Sequence, residues 1–543
     1  MNNISLFNVN AIIGQGAYEK PQFPDINSLI AHMDYLGIDR SLVSHIEARD
    51  LNPTWGNSRL LKEISESKYA QRLIPVFAIS PSCYYETGAL KFIKKSLRTN
   101  KVRAFCIHPE VARFPIYQLE RILMELADWK PVLLWNCRNA TINDFKEICY
   151  LAEIFPQISF IMTQRMWPGF GGIIDAMWRQ KNIYTDTSLI HMRNTVKILV
   201  DEFGANRVIF GIGDKSHYGA SIAALVHYEI TNQQRELIAH RNIERLLGLK
   251  AINKKLYSAP EILSQKPLWQ TIRSGKPIKE INIIDAHAHV GPTHRGWYVR
   301  DIKLPDYING MLHQMNKLGV KYMVVSGETA LFGNPVEGNI IVERNLINKK
   351  NRFLGYLVYN PLYGREMNSK LDSFFKSGFF IGFKILPIYW QISVTDKGFT
   401  PVWEYANKYN LPVLSHTWDD LCDSPALFKN IVRKYKNVNF ILGHSGGGTK
   451  GRIEAEELTV KNSNVFMEFC GSFCTPRPFE ESISRVGISK IIFGSDGGAH
   501  DQAWELGRYL SMPLPDQKLI PGLGTNFISI LKKSKLLSQK FNI

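Results

Sequence analysis
No apolar run in the 543-residue chain approaches the roughly 18 residues that a helix needs to cross a bilayer, so a membrane-spanning protein is not expected. Cysteine is sparse: seven residues with no Cys-x-x-Cys pair exclude a disulfide framework and a thiolate zinc knuckle, and point to reduced thiols. No Gly-x-Gly-x-x-Gly follows a first strand, which removes the dinucleotide fingerprint; Gly446-Gly447-Gly448 reads only as a flexible loop or a phosphate nest. The opening residues 1–7 lack the basic segment, apolar stretch and small-residue cleavage site of a secretory signal, so a cytoplasmic location is the expectation.

What is present describes a large globular protein, 45% hydrophobic and 21% charged. Its length accommodates two barrels of about 250 residues. A net charge of +17 raises the question of nucleic acid, but the basic residues are scattered and no nucleic-acid module is recognisable. The densest cluster, Lys532, Lys533 and Lys535, lies in the last predicted helix, where cations suit the dipole and the solvent. Nucleic acid and membrane are therefore not expected as partners. The positive excess suits a small anionic substrate instead.

The chain is a repeat of itself. Residues 24–44 answer residues 305–326, each reading as a helix, a glycine stop and a strand. Residues 72–77 pair with 352–357, 131–134 with 412–415, and 208–211 with 491–494, at an offset that stays near 280. This predicts a duplicated domain: residues 1–250, a Pro- and Lys-containing linker over 251–280, and residues 281–543. In the second half, strands are expected near 281–287, 322–326, 353–359, 381–386, 412–416, 439–444, 464–469 and 490–496, with helical segments between them. The fold class that follows is α/β, two tandem TIM-like (β/α)8 barrels with function at the C-terminal strand ends. An open doubly wound sheet is the alternative.

Those strand ends carry chemistry. His287 and His289 are two residues apart, so in a strand both imidazoles face the same side. The other ends supply Lys384, His416, His444 and Asp496. Three imidazoles and a carboxylate suit zinc, with manganese, iron or nickel left open by residue type. Such an ion acidifies water toward neutrality and polarises a carbonyl, and Asp496 stands where it can take and return a proton.

The pattern resembles the amidohydrolase superfamily, particularly its family-2 branch of metal-dependent hydrolases and decarboxylases. The residues that carry the resemblance are 285–291 (Asp-Ala-His-Ala-His-Val-Gly), 382–387, His416, 442–446 and 493–496 (Phe-Gly-Ser-Asp). It implies that His287, His289, His416 and Asp496 bind one divalent metal, and that His444 polarises substrate or binds a second ion. By the same resemblance, Lys384 is either carboxylated and bridges two metals or contacts substrate directly. Leu386 stands where the family often has histidine. The implied activity is hydrolysis of an amide, ester or lactone. Decarboxylation or hydration is the runner-up, and a non-catalytic scaffold the rival of another class.

Other residues carry less. His294, Arg295 and Arg300 are candidate grips for a substrate carboxylate. Glu468 reads as a partner orienting a ligand histidine or as a structural carboxylate, the latter favoured because Asp186 occupies the matching place in the other half. Cys470 and Cys474 read as packing thiols, and Trp390, Trp403 and Trp418 as pocket wall or core. In the first half, Asn10 and Ile12 align with the paired histidines, Cys106 with Lys384, Trp135 with His416, Gln164 with His444 and Gly213 with Asp496. His45, His108 and His217 do not match the ligand positions, and a separate site built from them and Asp214 is the alternative. The first half is thus expected to be a barrel without catalytic metal that pairs with the second in the same chain, with further homo-oligomerisation open.

Overall fold
The structure, a computed structural model, describes residues 4–18, 20–99, 101–166, 169–252, 255–291, 303–473 and 475–536. Two eight-stranded parallel sheets account for the fold. The first runs β1 Phe7–Ile13, β2 Arg40–His45, β3 Leu73–Ala78, β4 Ala104–Ile107, β5 Val132–Asn136, β6 Ser159–Thr163, β7 Ile183–Asp186 and β8 Val208–Ile209. The second runs β9 Ile283–Val290, β10 Val320–Gly327, β11 Phe353–Val358, β12 Phe380–Ile385, β13 Pro412–His416, β14 Asn439–Gly443, β15 Val465–Glu468 and β16 Ile491–Ile492. Within each sheet every strand pairs with its sequence neighbour, and helices alternate with strands, so the expected tandem barrels are the observed fold. The second sheet meets itself where the Ser495 and Asp496 amides donate to the His287 carbonyl and the His289 amide to that of Gly497.

Strands in a barrel are covered by the interior on one face and by helices on the other, which is why they are apolar nearly throughout. All eight residues of β9 are buried, its two histidines included. In the first unit Phe7, Val9, Val76, Ala104, Val132, Leu134, Ile161 and Ile209 belong to one core cluster. The helices are set by local signals. Helix Ile26–Leu36 starts at Asp25, whose side chain accepts from the Ser28 amide, and stops at Gly37, φ 74°. Its counterpart Leu304–Leu318 stops at Gly319, φ 83°, where a Cβ would also meet the Ile278 carbonyl at 1.9 Å.

The duplication extends to side-chain brackets that no simple pattern reveals. Arg72 Nε and Nη2 donate to the Asp39 and Ile38 carbonyls, as Arg352 Nε and Nη2 do to those of Lys321 and Val320. Asn57 makes two hydrogen bonds to the Ala78 backbone, and Asn339 the same two to Val358. Asn182 gathers the carbonyls of Ala152, Phe155 and Ile158, and Asn464 those of Val432, Tyr435 and Val438. Each bracket satisfies buried backbone groups at a helix-to-strand corner.

The chain divides into two compact units between Leu263 and Ser264, inside the segment expected to be a linker. That segment is held at both ends. The Leu256 amide donates to Asp39 Oδ1 in the first unit. In the second, buried Lys266 pairs with Asp516 at 3.0 Å and Trp269 is fully buried. Among the described residues, no helix is long and apolar enough to cross a membrane.

Candidate metal centre
β9, β12, β13, β14 and the turn after β16 bring His287, His289, Lys384, His416, His444 and Asp496 together, all of them buried. The imidazole centroids of His287 and His289 are 5.4 Å apart, those of His287 and His444 5.1 Å, and those of His416 and His444 4.8 Å. Asp496 Oδ1 lies 2.7 Å from His289 Nε2 and 3.5 Å from His287 Nε2. Both His444, φ 65°, and Asp496, φ 55°, adopt left-handed backbone, a costly conformation that recurs at functional sites.

Each histidine is held from behind by its Nδ1. His287 Nδ1 meets Glu468 Oε2 at 2.8 Å, His289 Nδ1 meets Ser326 Oγ at 2.9 Å, His416 Nδ1 meets Asp423 Oδ2 at 2.7 Å and His444 Nδ1 meets the Cys470 carbonyl at 2.7 Å. A carbonyl only accepts, so His444 carries its proton on Nδ1. The Ser326 hydroxyl donates to the Ala288 carbonyl and so accepts from His289. Glu468 also accepts from the amides of Cys470 and His444. In His289 and His444 the inward Nε2 atoms are therefore lone pairs, the tautomer a metal requires.

Electrostatics agree. Burial, then the nearby Lys384, lowers His416 to about 3. Burial, then His416, lowers His444 to about 3. Burial and Lys384 also hold His287 well below its ordinary value. Asp496 Oδ1 is buried with no hydrogen-bond donor among the described residues, 2.7 Å from the His289 Nε2 lone pair. Acceptors face acceptors here, and a shared cation resolves that arrangement, so the donor set fits a divalent metal. His287, His289 and Asp496 bring ligand atoms within 4.8 Å of one another, as do His287, His444, Glu468 and Cys470. Lys384 Nζ, lowered in pKa by burial, lies 2.7 Å from His287 Nε2.

Several expectations change. Glu468 orients His287, and so holds the role the sequence comparison disfavoured. Its carboxyl is pushed up to about 8 by burial. Trp418 stacks on His416 at 5.9 Å and walls the site, Trp403 packs on Phe440 in the core, and Trp390 donates to the Leu331 carbonyl. The Cys470 thiol lies 3.3 Å from His287 Nδ1. His294, Arg295, Arg300 and Cys474 lie outside the described residues. Missed by sequence reading were Ser326, Asp423 and His500, whose Nε2 is 3.5 Å from Asp496 Oδ2. The Asp-Gly-Gly-Ala-His spacing after β16 was the available signal for His500.

The alignment of Trp135 with His416 is corrected. His416 pairs with Gly443 in the sheet and Asn136 with Thr163, while the amides of Thr417 and Cys137 donate to the carbonyls of Gly443 and Thr163. Asn136 is thus the counterpart of His416. Trp135, one residue earlier, points the other way and packs on Phe145 at 5.4 Å.

A parallel (β/α)8 barrel with buried imidazoles and an aspartate converging at its C-terminal strand ends defines a metal-centre barrel of the hydrolase and lyase type. The family model described as Amidohydrolase (Amidohydro_2) matches residues 284–530, and the second barrel belongs to that family. Among solved structures, 5-carboxyvanillate decarboxylase LigW from Sphingomonas paucimobilis is similar at 13% identity, covering 47% of this chain and 99% of that one, with TM-score 0.36. A 5-carboxyvanillate decarboxylase from Novosphingobium aromaticivorans complexed with manganese shares 12% identity over 48% of this chain and 98% of its own, with TM-score 0.38. 4-Oxalomesaconate hydratase LigJ from Rhodopseudomonas palustris shares 15% over 46% and 96%, with TM-score 0.33. Among curated proteins, none matches this chain.

Proposed function
We propose that the second barrel is a metal-dependent hydrolase of a C–N or C–O bond in a small substrate, an amide, ester or lactone. The observation that carries this reading is the convergence of His287 and His289 Nε2 on Asp496 Oδ1, with each Nδ1 already engaged. His287, His289, His416 and Asp496 would hold a divalent ion, zinc first. Such an ion supplies Lewis acidity, which acidifies water and polarises a carbonyl. Asp496, ionised and backed by His500, accepts the proton of the attacking water and returns it to the leaving group. His444, neutral with its proton fixed on Nδ1, presents an Nε2 lone pair, which suits a ligand for a second ion rather than a donor to a carbonyl. Lys384 lies beside His287, as a substrate contact or in carboxylated form as a ligand for a second ion.

One observation favours a second reading. Trp418 stacks on His416 and Tyr389 meets it edge-on at 5.4 Å, a wall suited to a planar aromatic acid and so to decarboxylation. The two readings separate on products. Protein reconstituted with zinc or manganese is offered lactones, amides and esters in one panel and aromatic carboxylates in another. Acid release without gas supports hydrolysis; carbon dioxide from the second panel alone overturns it in favour of the lyase. The first barrel is proposed as a non-catalytic companion, with Asn10, Ile12, Asn136, Gln164 and Gly213 at the ligand positions.

A further inference from the structure
We propose that the mouth of the first barrel binds a small carboxylate anion on the guanidinium of Arg138. Arg138 follows β5, and its Nη1 pairs with Oδ2 of Asp214, after β8, at 2.8 Å. Gln22, after β1, donates to Asp214 Oδ1 at 3.1 Å. In sheet order β5 and β8 are three positions apart, so the ion pair reaches across the C-terminal mouth. Asp214 engages only the Nη1 side. Nε and Nη2, the forked edge that matches both oxygens of a carboxylate, are buried and find no acceptor among the described residues.

Charge points the same way. Arg165 lies alongside, its Nη1 donating to the carbonyls of Cys137, Arg138 and Ala140, and its Nε is buried without an acceptor among the described residues. The second barrel has neither partner: by strand register Trp418 stands where Arg138 does, and Gly497 follows Asp496 as Asp214 follows Gly213. The site therefore belongs to the first barrel alone and is separate from the metal centre.

The test uses the full-length protein, with sodium acetate titrated against sodium chloride at equal ionic strength and thermal unfolding as the readout. Acetate should raise the wild-type midpoint saturably, by about 2 °C or more beyond chloride. Arg138→Lys keeps the charge and the reach to Asp214 but lacks the forked edge, so it should lose the acetate effect, as should Arg138→Ala. Crystals grown with 4-bromobenzoate locate the site independently, with a bromine anomalous peak expected beside Arg138. No acetate effect, an equal effect in Arg138→Lys, or bromine only in the second barrel would overturn the proposal. If neither variant folds, the bromine position in the wild-type protein decides.

Discussion

Asn10 Nδ2 donates to Asp186 Oδ2 at 2.7 Å in the first barrel, at the place where His287 Nδ1 meets Glu468 Oε2 at 2.8 Å in the second. The amide of Gln164 donates to Asp186 as that of His444 donates to Glu468. Gln164, φ 58°, keeps the left-handed backbone of His444, and Gly213, φ 71°, that of Asp496. The first barrel thus retains the supports of a metal centre while its inward groups are amide, aliphatic and glycine. The carboxylate at the end of β7 is both structural and orienting, because the same oxygens tie two strand ends together and hold whatever side chain the first strand presents.

Metal retention should separate the two barrels. Purified protein should carry close to one divalent ion, read by elemental analysis. His416→Ala should lose it, whereas Asn136→Ala should retain it with unchanged stoichiometry. Equal loss in both variants would refute the assignment of the metal to the second barrel.

Glu468→Gln should weaken metal binding by about 10- to 100-fold, the usual cost of removing a group that orients a ligand histidine. Competition with a chelator measures it. Asp186→Asn should leave metal affinity unchanged and lower stability by about 1–3 kcal/mol, because it strips a buried network of an acceptor. A metal defect in that variant would argue against the separation.

Two buried histidines of the first barrel should each subtract stability as the pH falls below 6.5. Burial, aided by Lys215, lowers His32 to about 3, and burial with Arg49 lowers His108 to about 4, from 6.5. Below pH 6.5 the unfolded chain binds protons that the folded chain refuses, so each residue removes about 1.4 kcal/mol per pH unit until its folded value is passed. Buried carboxylates raised in the folded chain, Glu468 among them, act with the opposite sign, so the readout is a difference: in denaturant unfolding between pH 7 and 4, His32→Leu should lose roughly one residue's share of acid destabilisation relative to the wild type. An unchanged slope would show that His32 protonates in the folded chain.

The repeated brackets should matter equally in both copies. Asn182→Ala and Asn464→Ala each remove a side chain that holds three carbonyls, and each should cost about 1–3 kcal/mol in chemical denaturation. A neutral result in either would mean that water replaces the amide there.

Much of this was legible in the chain itself. Alternating apolar runs and glycine stops determined the two barrels, because parallel strands covered on both faces must be apolar nearly throughout. The ends of those runs determined which side chains share a mouth, since a barrel brings all its C-terminal strand ends to one face. Tertiary structure alone decided the rest. Strand register moved the counterpart of His416 from Trp135 to Asn136, because one residue of slip reverses the face that a side chain occupies, and a short sequence match does not resolve one residue. The acceptors behind the histidines were equally hidden. Glu468 lies 181 residues from His287 and Ser326 lies 37 from His289, so only the closed sheet brings these pairs into contact and puts the His289 proton on the side away from the metal.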